Sequence, residues 1–219
     1  MTIIHSLFTM FLVLCLNPFF YSQQVKQEQL TDRQRLYWDA GNKKIRARGA
    51  YYRDDIIGVT NEKHGKWWFY DSKGNLTEEQ YFYRGRIHGK QLSYHPNKTI
   101  ASESHFVFNV ADSIFREWNT EGKLMVEGHY EMGSPIGTWD YFYKDGALKS
   151  REQISNDTVY LIEHYTYDSL HSQVVKNGEG EIKSFYASGR LKEFYTYSKG
   201  LKTGAFEERL ANGIISILG

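Results

Sequence analysis

Cysteine and proline are almost absent from this chain, with 1 Cys and 3 Pro in 219 residues. A single cysteine excludes an internal disulfide and a multi-cysteine zinc site. Charge of one sign is lacking too: 27 Lys+Arg stand against 26 Asp+Glu, a formal net charge of +1. That balance excludes binding driven by bulk attraction to nucleic acid, so no nucleic-acid partner is expected. The 41% hydrophobic and 16% aromatic content sets aside disordered, collagenous and low-complexity classes. Catalytic motifs are missing as well, with no His-Glu-x-x-His and no Walker loop. In Gly133-Ser134-Pro135-Ile136-Gly137 the serine stands one place too early for a nucleophile elbow. Gly178-Glu179-Gly180 is too little for a phosphate cradle.

What is present begins with residues 3 to 20, a charge-free run of mainly Leu, Phe, Ile, Val and Met. Polar sequence follows abruptly after Ser22, the pattern of a secretory signal peptide covering 1–22. A retained membrane anchor is the alternative, since the run nearly reaches spanning length. Cys15 falls inside this segment, and Leu14 stands where a lipobox wants a small residue. The expected destination is therefore export, to the periplasm, the outer membrane surface or the medium. A polar segment, 23–36, then leads into the remainder, 37–219.

That remainder repeats. Residues 65–88, 89–112, 113–136 and 137–160 align without gaps as 24-residue blocks, and 180–203 and 204–219 continue the series. A divergent unit at 37–52 joins them through an insertion near 54–61, and 161–179 is too degenerate to align. Each unit reads Gly-x-apolar-x-x-aromatic, a three-residue gap, then Gly-x-Leu/Ile. The aromatic column is Tyr70, Tyr94, Trp118, Phe142 and Phe185; the aliphatic column is Leu76, Ile100, Leu124, Leu148, Leu191 and Ile215. Three-residue loops such as Ser72-Lys73-Gly74 and Thr120-Glu121-Gly122 predict β-hairpins closed by a type I turn and a glycine bulge. The expected fold is all-β, an elongated antiparallel meander of repeated hairpins.

Counting outward from that turn places Tyr70 opposite Leu76, Trp68 opposite Glu78 and Trp67 opposite Glu79. The aromatic and aliphatic columns then share a packed face. The opposite face carries Trp67, Phe115 and Trp139 with Glu79, Glu103, Glu127 and Arg151, a composition suited to an exposed contact surface. On this reading Trp118 is structural and Trp67 and Trp139 form the candidate binding site; the alternative is that a twisted hairpin array packs both aromatic rows against itself.

These blocks resemble the bacterial variant of the MORN repeat (membrane occupation and recognition nexus), whose units are short hairpins carrying Trp/Tyr, a turn glycine and a following Leu. The resemblance runs from about Tyr37 to the C-terminus, with departures at Gln91, Ser113 and Arg209. It implies a non-enzymatic module for membrane association or protein assembly, and some similar proteins are catalogued as antitoxin components.

The expectation is an exported, non-enzymatic binding or scaffolding protein of the cell envelope that uses no cofactor. Its partner would be another protein or an envelope component. Rivals are a carbohydrate or envelope-polymer binder stacking on exposed aromatics, a toxin-neutralising protein, and last a glycosidase using the glutamate row. Lys43, Lys44, Arg46 and Arg48 offer a membrane-surface contact. His64 and His88 fall in the same phase, about 9.6 Å apart at two strand spacings, which is too far for two ligands on one metal. The sequons at Asn75, Asn97 and Asn156 would matter only in a eukaryotic secretory pathway.

Overall fold

The computed structural model describes residues 33–218, so the apolar run, Cys15 and the cleavage point after Ser22 lie outside the described residues. Those residues form 17 strands in one sheet and no helix. The strands are β1 (Gln34–Tyr37), β2 (Ile45–Asp54), β3 (Gly58–Tyr70), β4 (Leu76–Tyr83), β5 (Arg86–Tyr94) and β6 (Ile100–Val107). After them come β7 (Val110–Ala111), β8 (Ser113–Trp118), β9 (Leu124–Glu131), β10 (Ser134–Phe142), β11 (Leu148–Ser155) and β12 (Thr158–Tyr165). The series ends with β13 (Gln173–Lys176), β14 (Glu179–Phe185), β15 (Leu191–Ser198), β16 (Leu201–Arg209) and β17 (Ile215–Leu218). Pairing is antiparallel between sequence neighbours, apart from β6, which pairs with β7 at one end and with β8 at the other. The meander read from the repeats is the observed fold, and β1 carries it three residues upstream of Tyr37.

Two kinds of turn alternate. In the predicted kind, Asp71 N–H donates to the Asn75 carbonyl at 2.9 Å and Gly74 N–H to the Asp71 carbonyl at 3.0 Å. The same two bonds close the hairpins at His95–Thr99, Asn119–Lys123, Tyr143–Ala147, Tyr186–Arg190 and Leu210–Ile214. Gly74 sits at φ 88°, which a glycine adopts freely. The units are joined by two-residue turns in which both residues have positive φ, such as Arg84 and Gly85 at 47° and 82°, the type I′ pattern.

The two irregular stretches have local causes. At 161–179 the hairpin persists, but its closing bond runs from Thr166 N–H to the Ser172 carbonyl, a span of six residues where other units use four. That longer loop, with β13 cut to four residues, destroys the alignment, while Asp168 Oδ1 accepts the Leu170 and His171 N–H groups and holds the loop. The insertion near 54–61 lengthens β2 and β3 rather than breaking them.

The expected register is wrong by one residue beyond each bulge. Tyr70 does oppose Leu76, but Phe69 opposes Glu78, Trp68 opposes Glu79 and Trp67 opposes Gln80. The bulge inserts Thr77 as an extra residue, and because side chains alternate with period two, one residue exchanges the faces. The core consequently lies on the side expected to be exposed. Trp67 is 0% exposed and Trp139 6%, while Trp118 is only half-buried.

Gly-x-Trp explains that core. Three residues, Gly65 to Trp67, stand opposite the single Gly49 in the β2–β3 ladder, and Gly137 to Trp139 stand opposite Gly128 between β9 and β10. Each indole lies flat on the facing glycine. A Cβ on Gly49 would sit 2.3 Å from the Trp67 ring, and one on Gly128 would sit 2.2 Å from the Trp139 ring. Where the unit carries Gln91 or Phe115 in place of Trp, the position eleven residues earlier is Gln80 or Ser104 rather than glycine.

Candidate functional site

The seven residues expected to form one contact surface are divided between the two faces. Trp67, Phe115 and Trp139 belong to the packed face, where Trp67 lies 5.3 Å from Tyr51 and Trp139 lies 5.2 Å from Tyr130, centroid to centroid. Glu79, Glu103, Glu127 and Arg151 project from the other face, beside Trp68 and Tyr70. The stacking platforms of the carbohydrate reading are thus core side chains.

On the second face the ladders place one continuous row across the sheet. It runs Arg35, Arg48, Trp68, Glu79, Leu92, Glu103, Arg116, Glu127, Asp140, Arg151, Glu163, each directly opposite the next. From Glu79 onward its charges are matched locally. Arg116 Nε lies 2.5 Å from Glu127, and Arg151 grips Asp140 through two bonds of 2.7 and 2.8 Å. That grip raises the Arg151 pKa above its ordinary value. Where the strand position is Trp68 or Leu92, a lysine two residues earlier supplies the cation: Lys66 lies 2.6 Å from Glu79 and Lys90 lies 2.9 Å from Glu103. Where it is Arg116 or Asp140, that earlier residue is Ile114 or Thr138. Such partly exposed pairs contribute roughly 0–1 kcal/mol each, so the row fixes register more than it stabilises the fold. The glutamates are two strands apart and each is engaged by its own cation.

The basic cluster separates likewise. Lys43 and Lys44 lie in the first turn, their N–H groups donating to the Asp39 carboxylate and holding it below its ordinary pKa. Arg46 and Arg48 lie over rings, Arg46 at 5.7 Å from Trp38 and Arg48 at 5.1 Å from Trp68.

His64 is fully buried between Tyr52 and Tyr83, and its Nδ1 accepts the Arg84 N–H at 3.1 Å. Burial, with the Arg84 charge second, pushes its pKa below the ordinary value. Its repeat mate His88 contacts Phe108 at 4.6 Å. Among the described residues no three His, Cys, Asp or Glu side chains gather closely enough to hold a metal.

A row of exposed apolar residues on the turn edge is not foreshadowed by the repeat pattern. Along the edge of type I′ turns, the first turn residue is Phe108 in one unit and Met132 in the next, with φ of 50° and 48°. Phe108 is 45% exposed and Met132 85%, and Val110 and Tyr83 beside them are exposed as well. Tyr83 meets Phe108 at 6.1 Å, and Val110 lies against Gly133. Bulky residues avoid the left-handed region at a cost of roughly 1–2 kcal/mol, whereas asparagine, found at Asn156 and Asn177, tolerates it. The sequence signal was available in the two-residue spacer before each new unit, where Asn-Gly chemistry is expected.

Comparison with known proteins agrees with this geometry over one hairpin. No curated protein matches the chain. Residues 87–107, within the β5–β6 hairpin, match the MORN repeat variant, and the same turn and bulge recur along the sheet. This is a repeat-based protein similar to the MORN repeat variant.

Proposed function

We propose that the protein is a non-enzymatic binding or scaffolding module, exported to the cell envelope, that holds a protein partner along its type I′ turn edge. The observation that carries this reading is the placement of Phe108 and Met132. Both are large, apolar and solvent-facing, and both occupy a backbone conformation that disfavours them. The left-handed backbone works against the isolated fold, and exposed apolar side chains gathered along one edge mark contact surfaces. Export rests on the charge-free run at 3–20 and the polar change after Ser22. Toxin neutralisation is one form such partner binding would take.

Asparagine at both positions separates contact from stability. Phe108→Asn with Met132→Asn relieves the backbone strain, so the denaturation midpoint rises, while capture of the partner from envelope extract is lost. Unchanged capture with the raised midpoint removes the turn edge from the proposal. Intact-mass measurement on envelope fractions checks export, with a chain starting near Gln23 expected.

A further inference from the structure

Like charges stand side by side twice in the cross-sheet row, and the two places are treated differently. Glu127 and Asp140 are direct neighbours, and each is bonded outward to an arginine, Arg116 or Arg151. Arg35 and Arg48 are direct neighbours too, and no carboxylate among the described residues pairs with either. Directly opposed like charges destabilise a ladder. Arg33 lies just ahead of the strand, two residues from Arg35, and adds a third guanidinium. The three line a hollow of about 550 Å³ whose wall includes Tyr37 and Trp68 and, among the described residues, no acidic side chain.

We infer that this hollow is a binding site for a dianionic phosphate monoester. Two guanidinium groups held opposite each other match the two charges of a monoester, and arginine binds phosphate oxygens through a planar fork. Arg48 is held beside it: its guanidinium lies 5.1 Å from the Trp68 centroid and 5.6 Å from that of Tyr70. Tyr37 in the wall offers ring surface to the group that carries the phosphate. This site lies at the β1–β2 end of the sheet and shares no residue with the turn-edge contact.

Phenyl phosphate titrated into the full-length protein at low salt is the direct test, followed calorimetrically. Binding is expected, weakened at least tenfold in Arg48→Gln and in Arg35→Gln and unchanged in Arg46→Gln, whose side chain stacks on Trp38. In phosphate-free buffer Arg35→Gln should also raise the melting temperature by removing the like-charge contact, and should abolish the rise that phenyl phosphate gives the wild type. Equal affinity in all four proteins means solvated arginines only and overturns the site. Binding to vesicles containing phosphatidic acid without binding to phenyl phosphate would overturn it as well, because the contact would then be with a lipid surface. An affinity that rises tenfold in Asp32→Asn would show the chain's own carboxylate filling the hollow, and that too would overturn the site.

Discussion

Trp67 and Trp139 occupy the same place in the repeat and lie on a glycine in the same way, yet their surroundings differ. Trp67 is enclosed by Ala47, Tyr51, Phe69 and Phe82, its indole N–H reaches the Ala50 carbonyl at 2.9 Å, and Lys63 Nζ sits 5.2 Å from its ring centroid. Burial lowers the Lys63 pKa, with the Arg46 charge second and Glu78 opposing. Trp139 has Phe115 and Tyr130 at 6.0 and 5.2 Å, and its buried indole N–H has no partner among the described residues. One motif thus supplies a complete core at one end of the sheet and a partial one in the middle. Geometry comes from the repeat; completeness comes from neighbours on β2, β3 and β4.

The largest effect expected from that difference is on truncation. Trp67→Ala should cost about 3–5 kcal/mol, the range for a fully buried aromatic, and Trp139→Ala clearly less, by urea denaturation. Equal losses would mean that the ring neighbours around Trp67 contribute nothing beyond the glycine contact.

Next in size come the glycines. Alanine at either position drives a methyl into an indole ring, so Gly49→Ala and Gly128→Ala should each cost roughly 1–3 kcal/mol. The penalty should shrink when the facing tryptophan is also made smaller. Additive losses in that double-mutant cycle would place the strain elsewhere.

Replacing the indole with a phenyl ring sharpens the contrast further. Trp67→Phe leaves the Ala50 carbonyl without its donor and should cost about 1–3 kcal/mol beyond the lost ring area. Trp139→Phe discards an N–H that has no partner, so its loss should be smaller.

Acid should act most weakly. Burial is the leading cause that pushes His64, His88, His105 and His164 below the ordinary imidazole value of 6.5. Between those lowered values and 6.5 the unfolded chain binds more protons, so stability falls as pH drops through that window. Glu152 works in the opposite sense above its ordinary 4.5, since burial raises its pKa and its contribution is lost as pH rises through that raised value. His64→Gln should flatten the acid slope of the denaturation midpoint, and an unchanged slope would remove His64 from its origin.

The hairpins, their turns and the positions of the repeats were legible because glycine at φ > 0 and the Leu/Ile column leave direct marks in sequence. The faces were not. A bulge was expected at each turn, but its extra residue, Thr77 in the first full unit, exchanges every outward side chain beyond it. Glu79, Glu103, Glu127 and Arg151 were therefore assigned to the side of Trp67 when they lie opposite it. The complementary changes at positions 66, 90, 114 and 138 do record the true register, since lysine stands there only where the residue two later is uncharged. The turn-edge residues were missed for another reason: Phe108 and Met132 violate the turn chemistry that sequence reading relies on.

Unfolding free energies of Trp67→Ala and Trp118→Ala, measured side by side in urea, test the central claim that the core lies on the Gly-x-Trp face. The structure predicts the Trp67 loss to be at least twice the Trp118 loss. A larger loss at Trp118 would return the core to the Tyr70–Leu76 face and contradict the register described above.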